Sequence, residues 1–94
     1  MPDKEILAEK AVIKWAEAHG WLAVKVKFQG RNGIHDRLFI SPEGIHVYIE
    51  FKRRGKQARP NQWWWQREFD RRGVAAYTEV TEREHGIAIL QQFC

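Results

Sequence analysis

Two carboxylates and one lysine are spaced in this sequence so that they could act together on a single phosphate group. Asp36 opens a short run of apolar residues, and Glu50 and Lys52 lie two positions apart at the end of a second run. Residues two apart in a strand project from the same face. If the two runs form an antiparallel hairpin, the end of the second lies beside the start of the first, and the three charged groups meet.

The elements that would position these groups are two strands and a tight turn. We predict strands over residues 36–41 and 45–52, because the second alternates apolar and polar residues with period two. Between them, Pro42 fixes φ and Gly44 allows a positive φ, which is typical of a turn. The sequence therefore predicts one β-hairpin that carries all three charged groups.

Paired carboxylates are suitable ligands for a hard divalent cation. Mg²⁺ takes oxygen ligands, usually one or two carboxylates together with waters and phosphate oxygens. Such an ion polarises a phosphoryl oxygen and lowers the pKa of a bound water, and a nearby lysine can orient that water. In the alternative interpretation Asp36 caps a turn, and Glu50 and Lys52 form a surface ion pair worth about 0–1 kcal/mol.

The remaining periodicities predict three helices and two further strands. They lie over residues 3–19 (helix), 21–28 (strand), 60–72 (helix), 74–80 (strand) and from a capping box at 81–84 onward (helix). The helix that begins at Pro60 joins two strands in a β-α-β unit, which requires a parallel pair. We therefore expect a single α/β domain over residues 1–94, in the order α-β-β-β-α-β-α, with a mixed sheet flanked by helices.

Glu9 falls within the apolar stripe of the first predicted helix. A carboxylate there is costly to desolvate without a partner. We expect it to face a cation, either Lys52 or a bound metal ion, and a plain buried ion pair is the alternative. Glu5 is the competing acidic residue, although its place in the first turn is already explained by the helix dipole.

The ordered set of motifs resembles a known family of nucleases. Asp36 followed by Glu50-Phe51-Lys52 is similar to the D…ExK core of the PD-(D/E)xK superfamily, and GIHDRLFIS, VYIEFK and RPNQ resemble its VRR-NUC branch in the small stand-alone viral and bacterial form. The resemblance spans most of the chain. It implies a restriction-endonuclease-like core that binds Mg²⁺ or Mn²⁺ through Asp36, Glu50 and the backbone carbonyl of Phe51. His35 stands where the family usually has proline.

The resemblance also implies two supporting residues. The family carries an acidic residue on its first helix at a matching distance from the closing glycine, which supports Glu9 as a residue that completes or supports the metal site. It has a glutamine after the proline of its second helix, which corresponds to Gln62. Gln62 could position a water or a phosphate, or it could be a simple helix cap.

Basic residues close to these motifs predict contact with a polyanion. The chain has a formal net charge of +4 and a pI near 9.5. A solvated charge run and a flexible loop are the alternatives. The residues that we expect to contact DNA are Arg31, Arg53, Arg54, Lys56 and Arg59.

Three consecutive tryptophans, residues 63–65, cannot all enter one small core. We expect the surplus to contact a second subunit or, alternatively, to stack on unpaired bases. The resemblance implies a structure-selective DNA endonuclease, and a symmetric homodimer would supply the two active sites that a Holliday-junction resolvase needs. The alternatives are a non-catalytic DNA-binding or scaffolding module with the same fold, and a nuclease for flaps, nicks or other branched DNA.

Other protein classes are disfavoured by what the sequence lacks. It has no apolar run long enough to cross a bilayer and no signal-peptide pattern, and Cys94 is its single cysteine. We expect a protein of a reducing cytoplasm, in a bacterial or virus-infected bacterial cell. Without a CxxC or HxxxH pattern we expect no structural zinc, and we expect no organic cofactor.

Overall fold

The order of elements in the computed structural model is the predicted α-β-β-β-α-β-α. The structure describes residues 4–94, and describes side chains from Leu7 onward, so Asp3 and the side chain of Glu5 lie outside the described residues. The helices are α1 (Lys4–Ala18), α2 (Pro60–Arg71) and α3 (Arg83–Gln91), and the strands are β1 (Leu22–Lys25), β2 (Arg37–Ile40), β3 (His46–Phe51) and β4 (Ala76–Val80).

The four strands form one mixed sheet in the order β1-β2-β3-β4. The pairs β1–β2 and β2–β3 are antiparallel, and the pair β3–β4 is parallel. Since a parallel pair needs a crossover, the chain returns through α2 between β3 and β4. The predicted mixed sheet is confirmed.

Helices cover both faces of the sheet. Helices α1 and α3 pack on one face, where Phe39 of β2 and Val47 and Ile49 of β3 are fully buried. Gly86 of α3 lies so near α1 that an added Cβ would be 2.6 Å from a methyl group of Val12. On the other face, Phe69 of α2 stacks on Tyr48 of β3. The main core consists of Val12, Ala16, Trp21, Phe39, Val47, Ile49, Phe51, Val80, Ile89 and Leu90.

Two local predictions are wrong. The first strand ends at Lys25 and not at residue 28, because β2 offers no regular partner beyond Arg37. The last helix takes Glu82 as its N-cap, with no side-chain cap bond. The capping box predicted at residues 81–84 is therefore one residue out of register. In the described part of the chain, no helix is both long enough and apolar enough to cross a membrane.

Candidate active site

The pairing of β2 with β3 sets the position of the two carboxylates. Arg37 pairs with Ile49 in the antiparallel register. Continuing that register by one residue places Asp36 opposite Glu50, and residues directly opposite each other share a face of the sheet. The amide of Val26 donates to the carbonyl of Asp36 at 2.8 Å, which holds Asp36 beside the end of β1.

Lys52 follows β3 immediately. Its side chain is half-buried, and its amide donates to the carbonyl of Val80 at 2.8 Å, so the backbone remains tied to β4 at this point. Strand alternation puts Glu50 and Lys52 on the same face as Tyr48, which is the face that α2 covers. The hairpin thus directs Asp36, Glu50 and Lys52 to one side of the sheet.

The donor set at this hairpin fits a hard divalent cation. Within residues 7–94, no three acidic, histidine or cysteine side chains are grouped closely enough to hold a metal ion by themselves. Two opposed carboxylates and the carbonyl of Phe51 are a different kind of site, because Mg²⁺ commonly completes such a set with waters and substrate oxygens. The residues present therefore fit the metal that the motifs imply.

Glu9 binds a cation, but not the one that we predicted. Its carboxylate accepts a hydrogen bond from Nε of Arg37 at 2.8 Å, and both side chains are mostly buried. Arg37 shares a face with Ile49, the face of α1, whereas Asp36 and Lys52 project from the other face. The expectation that Glu9 faces Lys52 is wrong, and the alternative of a partly buried ion pair is the one observed. Arg37 was missed because its strand was interpreted through its apolar residues.

Gln62 is buried near the start of α2, and its side chain is used as a cap. Its Oε1 accepts a hydrogen bond from the amide of Arg59 at 2.8 Å. This is the simple cap that the sequence left open. Because a phosphate oxygen only accepts hydrogen bonds, a contact of Gln62 with a phosphate would be made by its amide nitrogen.

A buried polar pair that the sequence did not reveal lies directly before Asp36. His35 is 1% exposed, and its Nε2 is 2.8 Å from Oε1 of Gln66. The Nε2 of Gln66 donates to the carbonyl of Ala76 at 2.7 Å and to Oδ1 of Asp70 at 2.9 Å. Burial lowers the pKa of His35 below its ordinary value, and the Gln66 hydrogen bond and the charges of Asp36 and Asp70 oppose this shift less strongly.

A β-bulge lies opposite Glu50. At this point one residue of β3 faces two residues of β4, Thr78 and Glu79. Glu79 has a φ of 58°, and is the one residue other than glycine with positive φ in the part of the chain that the structure describes. Its Oε1 accepts a hydrogen bond from the amide of Ala58 at 2.8 Å. The bulge therefore ties the basic loop after Lys52 to β4.

The predicted DNA-binding side chains are all exposed, and they occupy two loops. Arg54 already has a partner, because its guanidinium pairs with Glu82 at the start of α3. Arg31 belongs to residues 26–34, which together with Asp36 line an open cavity of about 310 Å³. In this loop Gly33 has a φ of 88° and lies so close to Asn61 that a Cβ would be 2.9 Å away, so only glycine fits.

Comparison with known proteins identifies the fold. No family model matches the sequence, and no curated protein matches it. A solved structure described as a VRR_NUC domain superposes with a TM-score of 0.86 at 26% identity, and the match covers 99% of this chain and 100% of that one. The shared fold over the full length shows that this chain has the nuclease-like fold of a VRR_NUC domain, and the order of its motifs is similar to that of this family.

Proposed function

We propose that this protein is a metal-dependent, structure-selective DNA endonuclease, and specifically a homodimeric Holliday-junction resolvase that hydrolyses phosphodiester bonds. The observation that carries the proposal is the register of the hairpin, which pairs Arg37 with Ile49. Continued by one residue, this register sets Asp36 opposite Glu50, and strand alternation directs Lys52 to the same face. Two carboxylates and a lysine at one place form a suitable site for phosphodiester hydrolysis.

The residues of the hairpin divide the chemistry between them. Asp36, Glu50 and the carbonyl of Phe51 would hold Mg²⁺ or Mn²⁺, and the bound ion would polarise a phosphoryl oxygen and lower the pKa of a bound water. Lys52 donates a hydrogen bond from Nζ to the attacking water and orients it toward phosphorus. Glu9 supports the site through Arg37, the residue next to Asp36.

The substrate backbone is held by cations and by one amide. The Nε2 of Gln62 donates to a phosphate oxygen, since that oxygen only accepts, while Oε1 keeps its bond from the amide of Arg59. The basic side chains contact phosphates and give position without reading sequence, which suits recognition of DNA shape. For Arg54 this requires release from Glu82. The cations assigned to DNA are Arg31, Arg53, Arg54, Lys56 and Arg59.

A second copy of the chain completes the resolvase. A four-way junction presents two symmetry-related strands, and a twofold homodimer presents two active sites in the matching arrangement. Trp63 and Trp64 are 38% and 48% exposed, which is a large apolar surface for a chain of this size. We assign this surface to the second copy, and we place the protein in the cytoplasm of a bacterial or virus-infected cell.

The proposal is tested by cleavage of a labelled four-way junction beside linear duplex and a 5′ flap, with Mg²⁺, Mn²⁺ or EDTA. We expect paired, symmetric, metal-dependent nicks, and Asp36→Asn should lower the rate by about 10²–10³-fold because it removes a principal charge of the site. The matched control is Glu43→Gln, which neutralises an exposed carboxylate in the β2–β3 turn and should cut normally.

Each other outcome points to a different function. Tight junction binding without cleavage in any metal would favour the non-catalytic module. A preference for the flap would retain the chemistry and reject the resolvase. An equal loss of cleavage rate in Asp36→Asn and Glu43→Gln would show that Asp36 is not part of the active site.

A further inference from the structure

We propose that His35 and Gln66 form a positioning pair, which fixes the backbone that leads to Asp36 and thereby sets the place of the first carboxylate. The catalytic consequence rests on the proposed function, whereas the geometry belongs to the protein without metal. Neither residue touches the reacting atoms, so each acts through Asp36.

The segment that needs this support is the end of the β1–β2 connection, residues 32–35. It lies outside the regular strands, so the sheet ladder does not determine its conformation. The ladder reaches it only at the far end, where the amide of Val26 donates to the carbonyl of Asp36 at 2.8 Å. A connection of this kind opens locally at low free-energy cost unless other contacts hold it.

Helix α2 supplies those contacts along one side. Trp65 donates from Nε1 to the carbonyl of Asn32 at 2.9 Å. Gly33 lies against the backbone of Asn61, close enough to exclude a Cβ. One residue along from Trp65, Gln66 binds His35 at 2.8 Å. The segment is thus held at its beginning, its middle and its end.

The orientation of the Gln66 amide is determined by its other partners. Its Nε2 lies 2.7 Å from the carbonyl of Ala76 and 2.9 Å from a carboxylate oxygen of Asp70, and both of these atoms only accept. Oε1 must therefore face His35, and His35 must donate from a protonated Nε2. Through this amide, one side chain links the segment before Asp36 to α2 and to β4.

The same side of α2 also contacts the strand of the second carboxylate. The ring of His35 packs against Phe69 with centroids 5.5 Å apart, and Phe69 stacks on Tyr48 at 5.5 Å. Tyr48 lies two residues before Glu50 on the same face of β3. Helix α2 therefore braces the backbone on both sides of the carboxylate pair, and the directional bond to His35 fixes what ring packing alone would leave adjustable.

The test compares two substitutions of His35, by glutamine and by asparagine, which differ only in the length of the side chain that carries the amide. The side-chain amide nitrogen of glutamine can occupy the place of Nε2, whereas that of asparagine is one bond shorter. In metal-free protein we expect His35→Asn to speed amide hydrogen exchange over residues 32–36 by about tenfold, the scale of one lost buried hydrogen bond. We expect His35→Gln to remain close to wild type, with exchange in β3 unchanged in both.

Cleavage of the junction gives a second measurement on the same two variants, His35→Asn and His35→Gln. Loss of an outer contact to a metal ligand commonly costs about 10–100-fold in metal affinity. We expect His35→Asn to raise the Mn²⁺ concentration for half-maximal cleavage by that factor, with KM for the junction unchanged, and His35→Gln to restore the wild-type value. A merely structural role would instead speed exchange throughout the core and change kcat at saturating metal.

The outcomes separate this inference from the proposed function. Equal exchange in His35→Asn and His35→Gln would overturn the positioning pair, whatever the cleavage. A wild-type protein that cuts no DNA would reject the proposed function, while the exchange comparison would still decide the pair. If His35→Asn does not fold, His35→Leu removes the donor, keeps an apolar side chain beside Phe69 and leaves the bonds of Gln66 to Ala76 and Asp70 in place. We expect the same local loosening there, and its absence would overturn the pair.

Discussion

Arg37 adjoins Asp36 in the chain but lies on the opposite face of the sheet, where it binds Glu9 at 2.8 Å. Both side chains are mostly removed from water, and a charge-assisted hydrogen bond in that setting is stronger than an exposed pair. In a double-mutant cycle of Glu9→Gln and Arg37→Met, we expect a coupling energy of about 1–2 kcal/mol, measured by urea unfolding.

The same variants separate the two roles that Glu9 could have. Because Glu9 acts through Arg37, Glu9→Gln should slow junction cleavage by far less than the factor of about 10²–10³ expected for Asp36→Asn. A loss as large as that of Asp36→Asn would make Glu9 a metal ligand, and would contradict the role that its contact with Arg37 indicates.

Buried His35 should make the stability of the protein depend on pH. Its folded pKa lies below its ordinary value of 6.5 because of burial, so below pH 6.5 the unfolded state binds more protons than the folded state. The contribution of neutral His35 to the free energy of unfolding is fully present above pH 6.5. It is lost as the pH falls from 6.5 toward the folded pKa. Between pH 7.5 and 5.5 this removes up to about 1.4 kcal/mol.

Urea unfolding in EDTA at the two pH values measures this loss. His35→Gln has no titrating group at this position, and should show a smaller change than wild type between pH 7.5 and 5.5. Identical changes in the two proteins would mean that His35 accepts a proton without cost in the folded state.

At the scale of elements, the bulge in β4 combines backbone strain with a useful contact. Glu79 adopts a φ of 58°, which costs a non-glycine residue about 1–2 kcal/mol. Its Oε1 holds the amide of Ala58. Glu79→Ala keeps the strain of the positive φ and loses the hydrogen bond to Ala58, whereas Glu79→Gly relieves the strain and also loses that bond. We therefore expect the free energy of unfolding of Glu79→Gly to exceed that of Glu79→Ala by about 1 kcal/mol, whereas glycine is usually the less stable of the two in a strand.

Substitutions of Glu79 should also change DNA binding, because Glu79 holds the basic loop that follows Lys52. Glu79→Gln retains an acceptor for Ala58 and should bind the junction like wild type, whereas Glu79→Ala and Glu79→Gly should both raise KM because the loop is released. If glycine proves less stable than alanine at this position, the positive φ carries no strain.

The sequence predicted elements well where one side-chain pattern decides them. Alternation over residues 45–52 was sufficient for the hairpin, and the order of helices and strands followed from periodicity and from Pro60. The first strand was extended too far because the alternation continues past Lys25, although the ladder to β2 does not. Periodicity describes one segment and carries no information about the length of its partner.

The supporting contacts of the site could not be predicted in this way. His35 and Gln66 are bonded across 31 positions of the chain, and neither stands in a pattern that requires the other. The positive φ of Glu79 arises from the mismatch between β3 and β4, which exists only after the strands pair. Spacing therefore predicted the candidate residues, and tertiary packing determines what holds them.

At the scale of the whole molecule, the two faces of the sheet are covered unequally. Helices α1 and α3 close one face, whereas α2 contacts the other through Tyr48 of β3 and the carbonyl of Ala76 in β4. On that second face β1 leaves Leu22 and Val24 exposed at 62% and 38%. The exposed Trp63 and Trp64 of α2 provide a further apolar surface. A sheet face or helix stripe that is apolar is normally covered by another layer.

A second copy of the chain is the layer that the proposed function requires. A standard interface buries about 800 Å² on each partner, and the chain exposes 6265 Å² in total. We expect wild type to sediment as a dimer and Trp63→Ser/Trp64→Ser as a monomer. Ile45→Ser is the matched control, because Ile45 is 39% exposed in the β2–β3 turn, comparable to Trp63.

Cleavage by the monomeric variant shows what the dimer contributes. In the proposed function all residues of one site come from one chain, so the variant should still nick DNA in a metal-dependent way. The paired symmetric nicks of a junction should become single and uncoupled. If Leu22→Ser dissociates the dimer and the tryptophan variant does not, the interface is the uncovered face of β1. A wild-type protein that is strictly monomeric would contradict the resolvase and leave the hairpin chemistry unaffected.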